Sequence, residues 1–281
     1  MSKNIPLLTR NGASLPCVGL GTMVFPEPEK APGLISHAIN MGYTHIDTAR
    51  KYGSEEWVGE GLKASNASRD SIWITTKVTE DDAKAEDFAR SVDDSLKAMR
   101  LDYVDLLLIH WPSRTVPLKE TIGALNKAKK DGLAKNIGVS NFTVSLIEEA
   151  VQLSDEPLFC NQVEYHAYIN QDKVLAACSK HGLLVECHVP LGRGRTYKDP
   201  LIVNIGQKHG KTGAQVALKW LVQQDGVAIL PGSTNPQRIE ENIDLFDFEL
   251  SEDEMRQISE LRSNNIRAVN PEVRRPVWDT V

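Results

Sequence analysis

Short apolar runs along the chain alternate with longer stretches in which apolar residues recur every three or four positions. Strand-like runs fall at Cys17–Gly21, Thr44–Asp47, Ile72–Lys77, Tyr103–His110, Asn136–Val139, Phe159–Val163, Leu183–Cys187 and Val227–Leu230. The run at 103–110 is almost continuously apolar, as expected of a strand covered on both faces. Helical spacing appears between the runs. Residues 31–41 form one such stretch, stopped by Gly42. Phe88, Val92, Leu96 and Met99 mark a second, and Leu118, Ile122 and Leu125, ended by Gly132, a third. Leu146, Ile147, Ala150 and Val151 follow, then a helix over roughly 171–181 that stops at Gly182. Two segments, 199–209 and 213–224, precede the last strand, and 236–243 and 252–262 come after it. Asn11-Gly12 between apolar flanks predicts a small hairpin over 5–15. The tail, ending RRPVWDTV, has no regular pattern.

Eight strands alternating with helices over 281 residues match a (β/α)8 TIM barrel with an N-terminal β-hairpin and extra helices. With no linker or internal repeat, residues 1–281 read as one domain. A doubly wound sheet is the alternative. It usually opens on a glycine-rich first turn, and Gly21-Thr22-Met23 is not one. The formal charge of -6 and the lack of a basic block argue against a nucleic-acid partner. The start, Met-Ser-Lys-Asn, has no signal-peptide core, and runs such as 106–109 are too short to cross a bilayer. Four cysteines without close spacing read as reduced and buried. A cytoplasmic protein without membrane segments is the expectation.

The polar residues at the strand ends carry the candidate chemistry. In a barrel these ends share one face, which collects Asp47, Lys77, His110, Ser140-Asn141, Gln162, His188 and Gly232-Ser233. Tyr52 lies in the turn after the second strand, ahead of a helix for which Ser54 is a candidate N-cap, with Glu55 and Glu56 in its first turn. Singly, each has a bland reading: a capping Asp, a surface Lys, a core His. Together they suit proton transfer. A free phenol has a pKa of about 10, and a neighbouring ammonium lowers it by roughly 1–3 units. Asp47 would hold Lys77 in place, and His110 would donate to a substrate oxygen. The histidines show no HExxH spacing, so no metal is expected. GQKHGKT (206–212) is one residue short of a phosphate loop and follows a helix.

The stretches DTARKYG (47–53), TTK (75–77), DLLLIHWP (105–112), GVSNF (138–142), NQVEYHAY (161–168), PLGRGR (190–195) and PGSTNPQRIEEN (231–242) occur in an order that resembles the aldo-keto reductases over essentially the full chain. Short bacterial members of the 2,5-diketo-D-gluconate reductase type are the nearest in character. The resemblance implies reduction of aldehydes and ketones with a nicotinamide cofactor and no metal. It implies Tyr52 as proton donor, tuned by Asp47 and Lys77, with His110 orienting the carbonyl. Ser140, Asn141 and Gln162 would hold the nicotinamide carboxamide. The loop Leu191–Arg195, with Arg193, would follow the pyrophosphate. Ser233, Thr234 and Arg238 would meet the 2′-phosphate, and Glu241 and Asn242 the adenine. Trp111 would line the substrate pocket.

Three positions depart from the family pattern. His188 stands where a Tyr usually stacks on the nicotinamide; either it stacks, titrating low beside the oxidised ring, or it only fills space. Gly232 replaces a Lys expected at the 2′-phosphate, a loss of about 1–2 kcal/mol that leaves NADPH preferred and NADH usable. Met23 replaces a pocket Trp, and faces either substrate or core. Family analogy implies a monomer and a small carbonyl substrate: a keto-sugar acid, a dicarbonyl or an aldehyde. The other readings are a cofactor-sensing accessory subunit on the same fold and a metal-free barrel hydrolase or isomerase.

Overall fold

The structure is a computed structural model that describes residues 5–25 and 27–280. The first four residues, read above as lacking a signal core, and the tail's last residue lie outside that description. Strands β1 (Leu7–Arg10) and β2 (Ala13–Pro16) form the expected antiparallel hairpin. Asn11 (φ 50°) and Gly12 (φ 79°) both take the left-handed conformation that a tight two-residue turn needs.

Eight parallel strands follow: β3 (Leu20–Gly21), β4 (His45–Asp47), β5 (Trp73–Val78), β6 (Val104–Ile109), β7 (Ala134–Ser140), β8 (Leu158–Glu164), β9 (Leu184–His188) and β10 (Val227–Ile229). Each pairs with the next in sequence order. The sheet closes on itself through Val18, which bridges Ile229 in parallel. Gly19 N donates to Ile229 O at 2.8 Å, and Ile229 N to Cys17 O at 2.8 Å. This is a (β/α)8 barrel. The first strand is shorter than the Cys17–Gly21 run predicts, because its opening residues contribute to closure rather than to a regular ladder.

Helices α1 (Ala31–Asn40), α2 (Glu55–Ser65), α3 (Ala85–Met99), α4 (Leu118–Lys130), α5 (Val144–Leu153) and α6 (Asp172–Lys180) each follow one strand. Two helices, α7 (Pro200–His209) and α8 (Gly213–Val222), separate β9 from β10, and α9 (Pro236–Ile243) and α10 (Glu252–Glu260) end the regular structure. The apolar stripes face the barrel as the spacing predicts: Phe88, Val92, Leu96 and Met99 of α3 are all buried. Ser54 does precede α2, but its hydroxyl does not cap the helix. It bonds instead to the hydroxyls of Thr22 (2.9 Å) and Thr48 (2.8 Å), which stitches the loop carrying Tyr52 to the end of β3.

Inside the barrel the chemistry changes with height. Leu15 of the hairpin, Leu106, Leu108, Phe159, Leu184 and Ala228 form one apolar cluster, so β2 plugs the N-terminal end. At the C-terminal end the inward positions are polar. Lys77 is level with Leu108, and Ser140, Gln162 and Glu186 are level with one another on β7, β8 and β9. Water is thus excluded from below a polar layer that opens upward. Among the described residues no helix is long and apolar enough to cross a membrane.

Candidate active site

Asp47 ends β4, and Tyr52 closes the short 3-10 turn Arg50–Tyr52 that follows, with Gly53 (φ 68°) turning the chain into α2. Lys77 projects inward from the adjacent strand β5 and is fully buried. Its ammonium donates to both Asp47 carboxylate oxygens (2.7 and 2.8 Å) and to Thr48 O (2.8 Å). These contacts lock the ammonium between Asp47 and the Thr48 carbonyl, beside the Tyr52 hydroxyl on which it also acts. The same Nζ lies 5.0 Å from the Tyr52 ring centroid. His110, just past β6, meets the Tyr52 ring edge-on, with centroids 5.5 Å apart at 84°. Its Nδ1 is buried without a hydrogen-bond partner. Asp47, Lys77 and His110, from three successive strands, thus gather around one phenol at the upper mouth of the barrel.

The electrostatics follow from burial. Lys77 loses stability as a cation through desolvation, but Asp47, with Tyr52 and Glu186, more than restores it, and its pKa is raised. Burial pushes the Asp47 carboxyl up, and Lys77 and Gln162 pull it back. Tyr52 differs from the expectation of an acidified phenol. Burial raises its pKa above the ordinary 10.0, and the opposing pull of Lys77 does not cancel that rise. Tyr52 therefore carries its proton at neutral pH. Burial, reinforced by the charge of Lys77, holds His110 well below the ordinary imidazole range, so its ring is neutral.

A second layer of polar groups continues across the mouth. The Gln162 amide donates one hydrogen to Asp47 Oδ2 and the other to Glu186 Oε2, each at 2.8 Å. Its carbonyl oxygen is the atom left for an incoming donor. Ser140 Oγ donates to Gln162 O (2.8 Å), and Asn141 Nδ2 to His110 O (2.9 Å). His188 Nε2 lies 3.0 Å from Asn141 Oδ1, and burial depresses its pKa to about 4, so the ring is neutral and tethered. Asn141 (φ 62°) and Val189 (φ 53°) hold left-handed conformations at these strand ends. For a β-branched valine that is strain, which the surrounding fold must sustain.

These groups border a cleft of about 1150 Å³. Asp47, Tyr52, His110 and Asn141 line its inner part, and Met23 and Trp111 stand beside them. His188, Leu191 and Arg193 continue the wall toward Ser233, Arg238, Glu241 and Asn242. Lys77, Ser140 and Gln162 sit behind that lining, buried. Thr234 is exposed and lies outside the lining. Met23 is 50% exposed, which excludes its core-packing alternative.

Gly232 has a steric reason. A Cβ there would meet Gly21 O at 2.4 Å and Val24 Cγ2 at 2.8 Å, so the loop after β10 lies directly on the end of β3. A lysine cannot enter this backbone without displacing it.

Two parts of the site escape a reading of strand ends. Glu186 is buried on β9 with Oε1 unpartnered, and burial together with the nearby Asp47 raises its pKa to about 7. The alternation along β9 carries the signal, since Leu184, Glu186 and His188 share the inward face. The other part is the tail. Glu164, at the end of β8, accepts from the backbone N–H of Ala268 and of Val269 (2.8 Å), and from His166 Nε2 (2.9 Å). This clamp draws residues 268–271 and Arg274 over the mouth, where they line the cleft. Trp278 packs edge-on against Trp111 at 6.1 Å, with the Arg267 guanidinium 3.7 Å above the Trp278 ring.

Residues 17–263 match the Aldo/keto reductase family. The chain belongs to that family. It is 38% identical to glyoxal reductase of Bacillus subtilis, a match covering 93% of this chain and 94% of that protein. It is 40% identical to morphine 6-dehydrogenase of Pseudomonas putida over 93% of each. A solved structure provisionally named 2,5-diketo-D-gluconic acid reductase B superposes with a TM-score of 0.96 at 42% identity, covering 99% of both chains. An aldo-keto reductase of Bombyx mori, solved in complex with NADP, gives 0.88 at 32% identity over 95% of each. This aldo-keto reductase is accordingly an oxidoreductase of carbonyl and alcohol groups.

Proposed function

We propose that this aldo-keto reductase reduces small aldehydes and ketones with NADPH, and that Tyr52 delivers the proton to the carbonyl oxygen. The observation that carries the reading is the phenol itself: neutral, half-buried at the cleft wall, and set between an ammonium locked by Asp47 and a neutral imidazole. A neutral Tyr52 has a proton to give. As the proton leaves, Lys77 stabilises the phenolate left behind, a charge-assisted interaction strengthened by the dry barrel below. The neutral His110 keeps one N–H, which can donate to the same carbonyl oxygen and fix its position.

The residues fit a nicotinamide nucleotide. Gln162 has its carbonyl oxygen free for an amide donor, because both of its hydrogens are taken by carboxylates. Ser140 and Asn141 are fixed beside it and would complete the carboxamide contacts, while the tethered ring of His188 would lie against the nicotinamide. Leu191 and Arg193 would follow the pyrophosphate, with Ser233, Thr234 and Arg238 toward the 2′-phosphate and Glu241 and Asn242 at the adenine. When bound, NADPH supplies the hydride. Arg238 can grip a phosphate in a fork, which supports NADPH as the preferred form. With glycine at 232 one phosphate contact is missing, so NADH remains usable.

The substrate is a small carbonyl compound received between Met23 and Trp111. Replacing Tyr52 with Phe removes only the proton donor. Turnover of methylglyoxal, followed as NADPH oxidation, should fall by about 10²–10⁴. The NADPH dissociation constant, measured by fluorescence titration, should change by less than about threefold. A Tyr52→Phe enzyme that retains turnover within tenfold of the parent removes Tyr52 from this role.

A further inference from the structure

We propose that Arg274 is an anion-recognising group at the substrate end of the cleft, and that the preferred substrates are carbonyl compounds bearing a carboxylate a few bonds from the reacting carbon. The inference rests on the reading of Tyr52 and His110 as the reacting centre.

Arg274 is fixed from both sides. Its backbone N–H and that of Arg275 donate to Pro271 O (3.2 and 2.9 Å), forming a tight turn over the mouth. Its Nη1 donates to Glu80 Oε1 at 3.2 Å. The guanidinium carbon lies 5.8 Å from the centroid of the Trp111 ring. The side chain is only 23% exposed, and its Nε is buried with no hydrogen-bond partner. A guanidinium has five N–H donors, and leaving one buried and unused is unfavourable. Glu80 Oε2 is likewise buried and unpartnered, so that defect belongs to the ion pair itself; the donors open to a ligand are on the exposed part of the guanidinium that lines the cleft.

The charge balance at this end of the cleft points the same way. Lys51, next to Tyr52, also lines the cleft, and its Nζ lies 3.9 Å from the same Glu80 oxygen. Two cations thus share one carboxylate. Asp81 is 3.6 Å from Lys51, but it is 76% exposed and screened by water. The acidic residues of the lining are Asp47, bonded to Lys77, and Glu241, at the α9 end. Neither forms an ion pair with Arg274, whose carboxylate partner is Glu80. Its charge acts on both Tyr52 and His110, so an anion held there sits close to the carbonyl being reduced.

A bland role for Arg274 is to tether the tail through Glu80. The two roles separate in a matched pair of aldehydes, 4-oxobutanoate and butanal, assayed as NADPH oxidation. The parent enzyme should favour 4-oxobutanoate by about tenfold or more in kcat/KM, mostly through KM. Arg274→Gln should erase that ratio by raising KM for the acid about 10–100-fold, the range of a charge-assisted hydrogen bond. Arg274→Lys should retain part of it. Raising salt from about 0.05 to about 0.5 M should shrink the parent's preference, because a partly exposed pair is screened. A loss that falls equally on both aldehydes assigns Arg274 to tethering alone and overturns the proposal. Equal efficiency toward the two aldehydes in the parent does the same while leaving the reductase reading intact. No NADPH oxidation with either aldehyde refutes the reductase reading, and this inference with it. If Arg274→Gln does not fold, the parent's preference, its salt dependence and the Lys variant decide the matter.

Discussion

Glu186 offers the sharpest test of the electrostatics around Gln162. Its carboxyl sits inside the barrel, 2.8 Å from an amide that also serves Asp47, and its pKa rises from 4.5 to about 7. The folded protein therefore binds a proton at Glu186 that the unfolded chain has already released between these two pH values. Where the folded state holds more protons, stability falls as pH rises. At about 1.4 kcal/mol per pH unit, the loss across that window is roughly 3 kcal/mol. Glu186→Gln keeps the shape and keeps an oxygen to accept from Gln162, but it does not titrate. Urea unfolding of both proteins at pH 5, 6, 7 and 8 isolates the effect, because every other group cancels in the difference. The variant should gain about 2–3 kcal/mol relative to the parent between pH 5 and pH 8, with unchanged m-values. Parallel stability curves would show that Glu186 is ionised in the fold at low pH, and the reasoning from burial would fail.

Lys77→Met leaves Asp47 buried without its ammonium. The variant should lose about 3–5 kcal/mol of stability in urea unfolding. Asp47 should then take up a proton on folding, so the variant should lose further stability as pH rises; a variant as stable as the parent at pH 8 contradicts this. Gly232→Lys should not improve use of the 2′-phosphate cofactor. The contact of its Cβ with Gly21 O forces the backbone apart, at a cost of roughly 1–3 kcal/mol in stability. A stable variant whose NADPH-to-NADH ratio in kcat/KM rises would show that the loop yields easily.

The architecture was legible wherever burial is written into local pattern. All six residues of β6 are buried, and the run Val104–Ile109 announces it. The shared C-terminal face of barrel strands also brings Asp47, Lys77 and Gln162 together from the strand ends alone. What escaped depends on contacts that local sequence does not encode. Ser54 has the composition of a cap, but two threonine hydroxyls reach it first. The direction of the Tyr52 shift depends on how dry the site is, and that is a property of the closed barrel. Arg274 and Glu164 meet the site only because the tail folds back, and an irregular segment carries no periodicity to reveal it.

The grip of Glu164 on residues 268 and 269 has a consequence for how this enzyme could diversify. The carboxylate holds peptide nitrogens, which every residue except proline possesses. The path of the segment is thereby uncoupled from the identity of its side chains. Residues projecting from it into the cleft are free to be exchanged, by drift or by an engineer, without the strap coming loose.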